Sequence, residues 1–263
     1  VRALVGTSGF AYDEWKGSFY PADLAKDRML AHYGTKLPSV EINNTFYRMP
    51  KESVLRQWAG AVPADFRFAL KASRRITHIG RLKNAGDPLA YLLSTSAALG
   101  EKLGVILFQL PPNLRRDDAL LADFLALLPP GCPAAMEFRH ASWFDDAVLE
   151  TLRARGVALV AGDTEDPAAP PPLVATADFG YLRLRADEYD EAAIVAWAER
   201  IRALPWERVF VYFKHETLGP AYAQRLLECF GAERPGLQKA GSARPGLAKP
   251  APVPRTRKRA TQR

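Results

Sequence analysis

The chain has 263 residues, 48% of them hydrophobic and 25% charged, a globular composition that excludes collagen-like and wholly disordered classes. The formal net charge is +7, yet residues 233–263 carry nine Lys/Arg and one Glu, which leaves residues 1–232 at −1. No apolar run reaches about 18 residues, so the sequence offers no membrane-spanning helix.

Taken in chain order, short β-rich runs alternate with amphipathic stretches of helical period. Strands are expected near 3–8, 39–45, 66–72, 104–110, 134–140, 158–163, 181–185 and 208–214. Helices are expected near 22–33, 51–60, 88–101, 118–128, 146–155, 190–203 and 219–230. Eight such units fit a single α/β domain closed as a (β/α)8 TIM-like barrel, for which about 250 residues is the usual size. The gap between strands six and seven breaks the rhythm. It contains Pro167, Pro170, Pro171 and Pro172, and proline lacks the amide hydrogen that a helix interior needs. The barrel is expected to occupy residues 1–232. Residues 233–263, rich in Pro, Gly, Ala, Lys and Arg, are expected to form a disordered basic tail.

Only Cys132 and Cys229 occur, which suggests free thiols and a reducing, cytoplasmic setting. The strand-like Ala3-Leu4-Val5 begins at once, leaving no room for a signal peptide.

Alternate residues of a barrel strand face the axis, and such interiors are normally branched and apolar. Three strands reveal their inward set. Glu41 and Asn43 alternate with Val40 and Ile42, Glu137 and Arg139 with Met136 and Phe138, and Arg183 and Arg185 with Leu182 and Leu184. The apolar set suits the surface beneath the helices, which leaves the charged set facing the axis. Lys71, Gln109, Asp163, Lys214 and His215 end other strands. Strand eight is apolar on both faces, so whether Lys214 or His215 points inward stays open. All these groups gather at the C-terminal end of the strands, where barrel enzymes keep their active sites. They could equally form a buried ion network without chemistry, in which desolvation offsets the Coulomb gain.

Aromatic residues crowd the same end: Phe10, Tyr12, Trp15, Phe19 and Tyr20, then Phe46 with Tyr47, and Trp143 with Phe144. They could stack on a base or sugar, with Trp15 and Tyr47 as the candidates, or simply plug the mouth. His140 and His215 beside carboxylates make a divalent metal conceivable. Up to five Lys/Arg at the same mouth argue against a cation, and no cofactor is expected. His32 and His78 read as structural or surface residues. A glycosidase carboxylate pair is a poor match, because strands four and seven end in Gln109 and in Arg183/Arg185.

Several runs resemble one family. Gly6-Thr-Ser-Gly-Phe-Ala-Tyr-Asp-Glu-Trp15, Phe19-Tyr-Pro21, Val40-Glu-Ile-Asn43, Thr45-Phe-Tyr47, Gln109-Leu-Pro-Pro112, Glu137-Phe-Arg-His140 and Ser142-Trp143 are similar to the blocks of the YecE-like proteins, the seventy-second family of domains of unknown function. The resemblance covers about residues 3 to 230 and implies a TIM-like barrel, without implying an activity. Two blocks depart from the family's commoner form: Arg183-Leu-Arg185-Ala186 replaces Arg-x-His-Gly, and Tyr212-Phe-Lys214-His215 replaces Tyr-Phe-Asn-Asn. Both changes add positive charge.

The leading expectation is an enzyme, a hydrolase or lyase, acting on a small phosphorylated or otherwise anionic substrate. Arg139, Arg183 and Lys71, with Arg185 and Lys214, would hold the anion. Glu41 or Glu137 would be the general base, with Asp163 as a third catalytic carboxylate. Asn43 and Gln109 would orient the substrate. The alternative expectation is a nucleic-acid-binding or nucleic-acid-processing protein that uses residues 233–263 and the mouth aromatics. A sensor or scaffold built on the same barrel is a third.

Overall fold

The structure is a computed structural model that describes residues 1–163 and 170–231. The expected tail, and residues 164–169 of the proline-rich gap before the seventh strand, lie outside the described residues; residues 170–178, with Pro170, Pro171 and Pro172, form no helix. In chain order the elements are β1 (Arg2–Thr7), α1 (Met29–Gly34), β2 (Ser39–Ile42), α2 (Glu52–Ala61), β3 (Arg67–Lys71), α3 (Gly86–Ser96), β4 (Leu103–Gln109), α4 (Asp118–Ala126), β5 (Ala134–Glu137), α5 (Asp146–Ala154), β6 (Ala158–Gly162), β7 (Phe179–Leu184), α6 (Glu191–Arg202), β8 (Arg208–Phe213) and α7 (Gly219–Cys229). Every expected strand is present within a few residues. Asp117, Asp145 and Asp190 cap the starts of α4, α5 and α6, each accepting a backbone N–H of the first turn. Pro220 sits in the first turn of α7, where its missing N–H costs nothing.

One expected helix is much shorter. Of residues 22–33 only the end is α-helical, preceded by a 3-10 turn at Lys26–Arg28. Residues 22–28 are exposed except for the half-buried Leu24, so they have no apolar stripe to pack and little reason to coil.

All eight strands are parallel, in the order β1-β8-β7-β6-β5-β4-β3-β2. The barrel axis is filled by Leu4, Ala69, Val105, Leu107, Ala135, Ala158, Val160, Phe179, Tyr181, Phe210 and Tyr212. Large rings from β7 and β8 thus meet small alanines from β3, β5 and β6, which lets one layer close without voids. Outside the sheet, Val40, Ile42, Leu182 and Leu184 pack under one set of helices. Met136 and Phe138 pack under another.

Between β1 and β2 the ladder reduces to a bridge at Ser8 and Glu41 and the Gly9 N–H donating to the Glu41 carbonyl at 2.8 Å. The Tyr33 hydroxyl, from α1, fills the seam below it. It accepts the Thr7 N–H at 2.9 Å and donates to the Ser39 carbonyl at 2.9 Å. Gly6 is required here, because a Cβ on it would lie 1.8 Å from the Ser39 oxygen. This seam carries Ser8 and Glu41 at its upper end, directly beneath the mouth.

Candidate functional site

The alternation in β2, β5 and β7 aims Glu41, Glu137 and Arg183 at the axis, just above the apolar layers. All three are buried, Glu41 at 0% and Arg183 at 5% exposure. Arg183 joins the two carboxylates. Its Nη2 donates to Glu41 Oε1 and its Nη1 to Glu137 Oε2, each at 2.8 Å. Glu41 Oε1 also accepts from Ser8 Oγ at 2.7 Å and Asn43 Nδ2 at 3.1 Å, while its Oε2 accepts from the Tyr181 hydroxyl at 2.6 Å. Glu137 Oε2 accepts from Gln109 Nε2 at 2.9 Å, and its Oε1 from Arg185 Nη2 at 2.5 Å. Asp163 accepts the Arg185 backbone N–H and the Tyr189 hydroxyl. Gly162 lets β6 bring it there, at φ +145° and with only 2.1 Å between its would-be Cβ and the Arg183 oxygen.

Burial alone would raise both glutamate pKa values. Arg183 and the hydrogen bonds from Tyr181 and Ser8 outweigh it at Glu41, whose pKa is lowered. At Glu137, Arg183, Arg185 and Gln109 outweigh it and hold the carboxyl at about 2. Lys71, at the end of β3, is different. Its Nζ lies 4.4 Å from the centre of the Phe46 ring, and it has no carboxylate ion pair among the described residues. Burial, and next the charge of Arg183, pull its amine down to about 8.

Above the network, between the ends of β5, β6 and β7, lies a cavity of about 340 Å³. Its charged lining is Glu137, Arg139, Asp163, Arg183 and Arg185, and its apolar walls include Phe138, Phe144, Val160 and Pro171. Arginine outnumbers carboxylate there. The Nε–H groups of Arg183 and Arg185 are buried without an acceptor among the described residues.

Residues 4–247 match the family described as "Protein of unknown function DUF72". The chain belongs to the DUF72 family. Among its relatives, the UPF0759 protein YecE of Escherichia coli (strain K12) is 30% identical over 129 residues, 49% of this chain and 47% of that protein. The UPF0759 protein YunF of Bacillus subtilis (strain 168) is 27% identical over 151 residues, 53% of this chain and 54% of that protein. The chain therefore spans about half the length of these relatives. A crystal structure of a DUF72 family protein from Thermotoga maritima superposes with a TM-score of 0.74 at 24% identity, covering 88% of this chain and all of that one. One from Enterococcus faecalis gives 0.73 at 20% identity, covering 88% and 96%. These likenesses establish the DUF72 barrel.

The barrel brings together Glu41, Asn43, Gln109, Glu137, Arg183 and Arg185 as one hydrogen-bonded group. Arg139 is exposed at the cavity rim. Gln109 and Asn43, expected to orient a substrate, donate to the glutamates instead. Lys71 lies over the Phe46 ring, outside the cavity lining, and three further expected ligand contacts are placed elsewhere. Trp15 is buried at 1% exposure, with its indole N–H on the Glu216 carbonyl at 2.6 Å. It packs against Tyr12, Phe19 and Tyr20 as a plug, so it presents no face to a ligand. Tyr47 turns away from the network into a separate groove. Lys214 continues the inward alternation of Phe210 and Tyr212, but β8 has ended and the residue is exposed, outside the cavity lining.

His215 braces the start of α7, its Nδ1 accepting the Leu218 N–H at 3.0 Å, and His140 accepts the Ser142 N–H at 3.1 Å. Among the described residues no three His, Cys, Asp or Glu side chains are placed to share a metal ion.

Other residues take part that the sequence reading passed over. Tyr181 stands two positions before Arg183 on the same strand face, a spacing that carries the signal. Ser8 stands in the same relation to Gly6. His78, read as peripheral, meets the Phe46 ring edge-on at 4.8 Å, and burial together with the nearby Lys71 charge lowers its pKa. No local pattern announces that contact, since His78 lies in a loop.

Proposed function

We propose that this protein is an enzyme, a hydrolase or lyase, whose cavity takes a small phosphorylated or otherwise anionic substrate. The observation that carries the reading is the cavity itself. At about 340 Å³ it has the size of a small-ligand site, it opens where barrel enzymes work, and its arginines outnumber its carboxylates. Arg185 and Arg139 hold the anion, the planar guanidinium being suited to two-point contact with phosphate or carboxylate. Arg183, fixed between two carboxylates, is a positioning residue.

The general-base role expected of Glu41 or Glu137 suits their surroundings poorly. A carboxyl held at about 2 is a weak base at neutral pH, and each glutamate already accepts several donors. Proton transfer fits Lys71 better, because an amine near 8 matches the working range of general acid–base catalysis. Lys71 stands beside the cavity lining rather than in it, over the Phe46 ring, and in the field of Arg183 and Arg185, both of which help to lower its pKa.

The test is turnover of a panel of phosphate esters and other small anions by the full chain, read as released phosphate or unsaturated product. Activity should show a pH limb near 8 that Lys71→Met removes, with loss of at least a hundredfold in rate. A Lys71→Met protein with unchanged rate and pH profile would take Lys71 out of the reaction.

A further inference from the structure

We infer that the loops following β2, β3 and β4 form a docking track for single-stranded nucleic acid, separate from the central cavity. Residues 43–51, 72–86 and 110–116 contain eight Lys/Arg and no Asp or Glu. This concentration stands on a body whose overall charge is close to zero. Elsewhere on the surface, Arg153 pairs with Glu150 and Arg225 with Glu191 and Glu228, while Arg200 and Arg202 lie over the Trp197 and Phe230 rings. On this rim Arg116 is similarly tied, to Asp118 and Asp145. Arg48, Lys51, Arg75, Lys83 and Arg115 have no ion pair among the described residues. Their field is left for a partner, and a phosphate chain is the partner such an array attracts.

The shape agrees with the charge. A groove of about 970 Å³ runs between the starts of α2 and α3, lined by Tyr47, Arg48, Lys51, Arg75 and Tyr91, with Asp87 as its one carboxylate among the described residues. A second concavity of about 480 Å³ lies on the other side of the β3–α3 loop, with Arg81, Lys83 and Arg115 in its lining. Tyr47 is 70% and Tyr91 60% exposed, unusual for large rings and suited to stacking on unpaired bases. The Arg74 guanidinium lies 5.9 Å from the Tyr47 ring centre, so charge and ring face are presented together.

The loop between the two concavities is held in a fixed, costly shape. It contains a π-helical turn at Arg75–Ile79 and three non-glycine residues in the left-handed region: Arg81 at φ 49°, Leu82 at φ 66° and Asn84 at φ 50°. Ile76 and Leu82 are buried beneath it, and the Leu82 N–H donates to the Ile76 carbonyl at 2.9 Å. Cations projecting from such a frame are pre-organised, which lowers the ordering cost of binding. Exposed rings beside cations favour single strands over duplex, whose bases are already stacked.

The experiment uses the full chain and a short labelled single-stranded oligonucleotide, with affinity measured over a range of salt. Two variants carry it: Arg75→Ala/Lys83→Ala and Tyr47→Ala/Tyr91→Ala, all four positions being exposed and outside the barrel interior. The charge variant should weaken binding at least tenfold and lower the salt slope by about 1.4 units, near 0.7 for each of the two lost phosphate contacts. The tyrosine variant should weaken binding at least fivefold while keeping the slope. Unchanged affinity in both variants would overturn the proposal and transfer any binding to residues 232–263. Equal binding of heparin and oligonucleotide, with no effect of the tyrosine variant, would overturn it in favour of a generic polyanion surface. Arg185→Ala should bind the oligonucleotide normally, so failure of the cavity reading and failure of the track are told apart.

Discussion

At residue scale the centre of the molecule is an ion network of two carboxylates and two guanidiniums. Such a network is weak support for stability as a whole, since burying ions is costly. Removing one member is another matter, because its partners stay buried without their counter-charge. Glu137→Gln is expected to destabilise the fold by about 3–5 kcal/mol at neutral pH, measured by urea unfolding. The pH dependence follows from the carboxyl lying at about 2 in the folded protein against 4.5 ordinarily. A depressed acid contributes its stability above the ordinary value and loses it as pH falls toward the folded one. The gap between the native protein and Glu137→Gln should therefore be full above about pH 5 and shrink below about 4.5. A gap that stays constant down to pH 3 would contradict the assigned coupling. The inward Glu41, Glu137 and Arg183 were legible in the sequence as period-two alternation of charged with apolar residues, whereas Arg139, beyond the end of β5, reaches only the exposed rim. The exact partners were not. Whether Gln109 faces a substrate or Glu137 depends on the register of two neighbouring strands, which no single strand encodes.

The elements were the most legible level, since most strands and helices carry their own period and stop signals, and β8, apolar on both faces, is marked by its β-rich run instead. The exceptions share a physical cause, dependence on a distant part of the chain. Trp15 looks available in a loop of mixed residues until Tyr12, Phe19 and Tyr20 close around it and the Glu216 carbonyl, 201 positions away, takes its N–H. Tyr33 reads as one more apolar position of a short helix, yet its hydroxyl completes the seam between β1 and β2. Removing that oxygen strands a buried N–H and leaves the Ser39 carbonyl one donor short. Tyr33→Phe should cost about 1–3 kcal/mol and speed hydrogen exchange of the Thr7 amide, measured residue by residue. Exchange at Thr7 no faster than in the native protein would mean that the seam is held by packing alone.

For the molecule as a whole, charge divides into three parts: a basic rim above β2–β4, a remainder of residues 1–232 that is net acidic and offsets that rim, and a basic stretch after residue 232 outside the described residues. The total of +7 hides that division, which appears only when charges are assigned to loops. Membership of the DUF72 family accounts for the barrel and leaves its chemistry to be argued from the side chains. Arg185 matters most in that argument, since it both binds Glu137 and lines the cavity. Thermal unfolding of the full chain against inorganic phosphate, phosphosugars and other small anions tests the anionic-substrate reading most directly, run alongside Arg185→Met. A ligand at about 100 times its Kd adds about 2.7 kcal/mol, or roughly 5–10 °C in Tm for a domain of this size. The account predicts such a shift for at least one small anion and its loss in Arg185→Met; no shift with any of them, or one that survives the substitution, would contradict it.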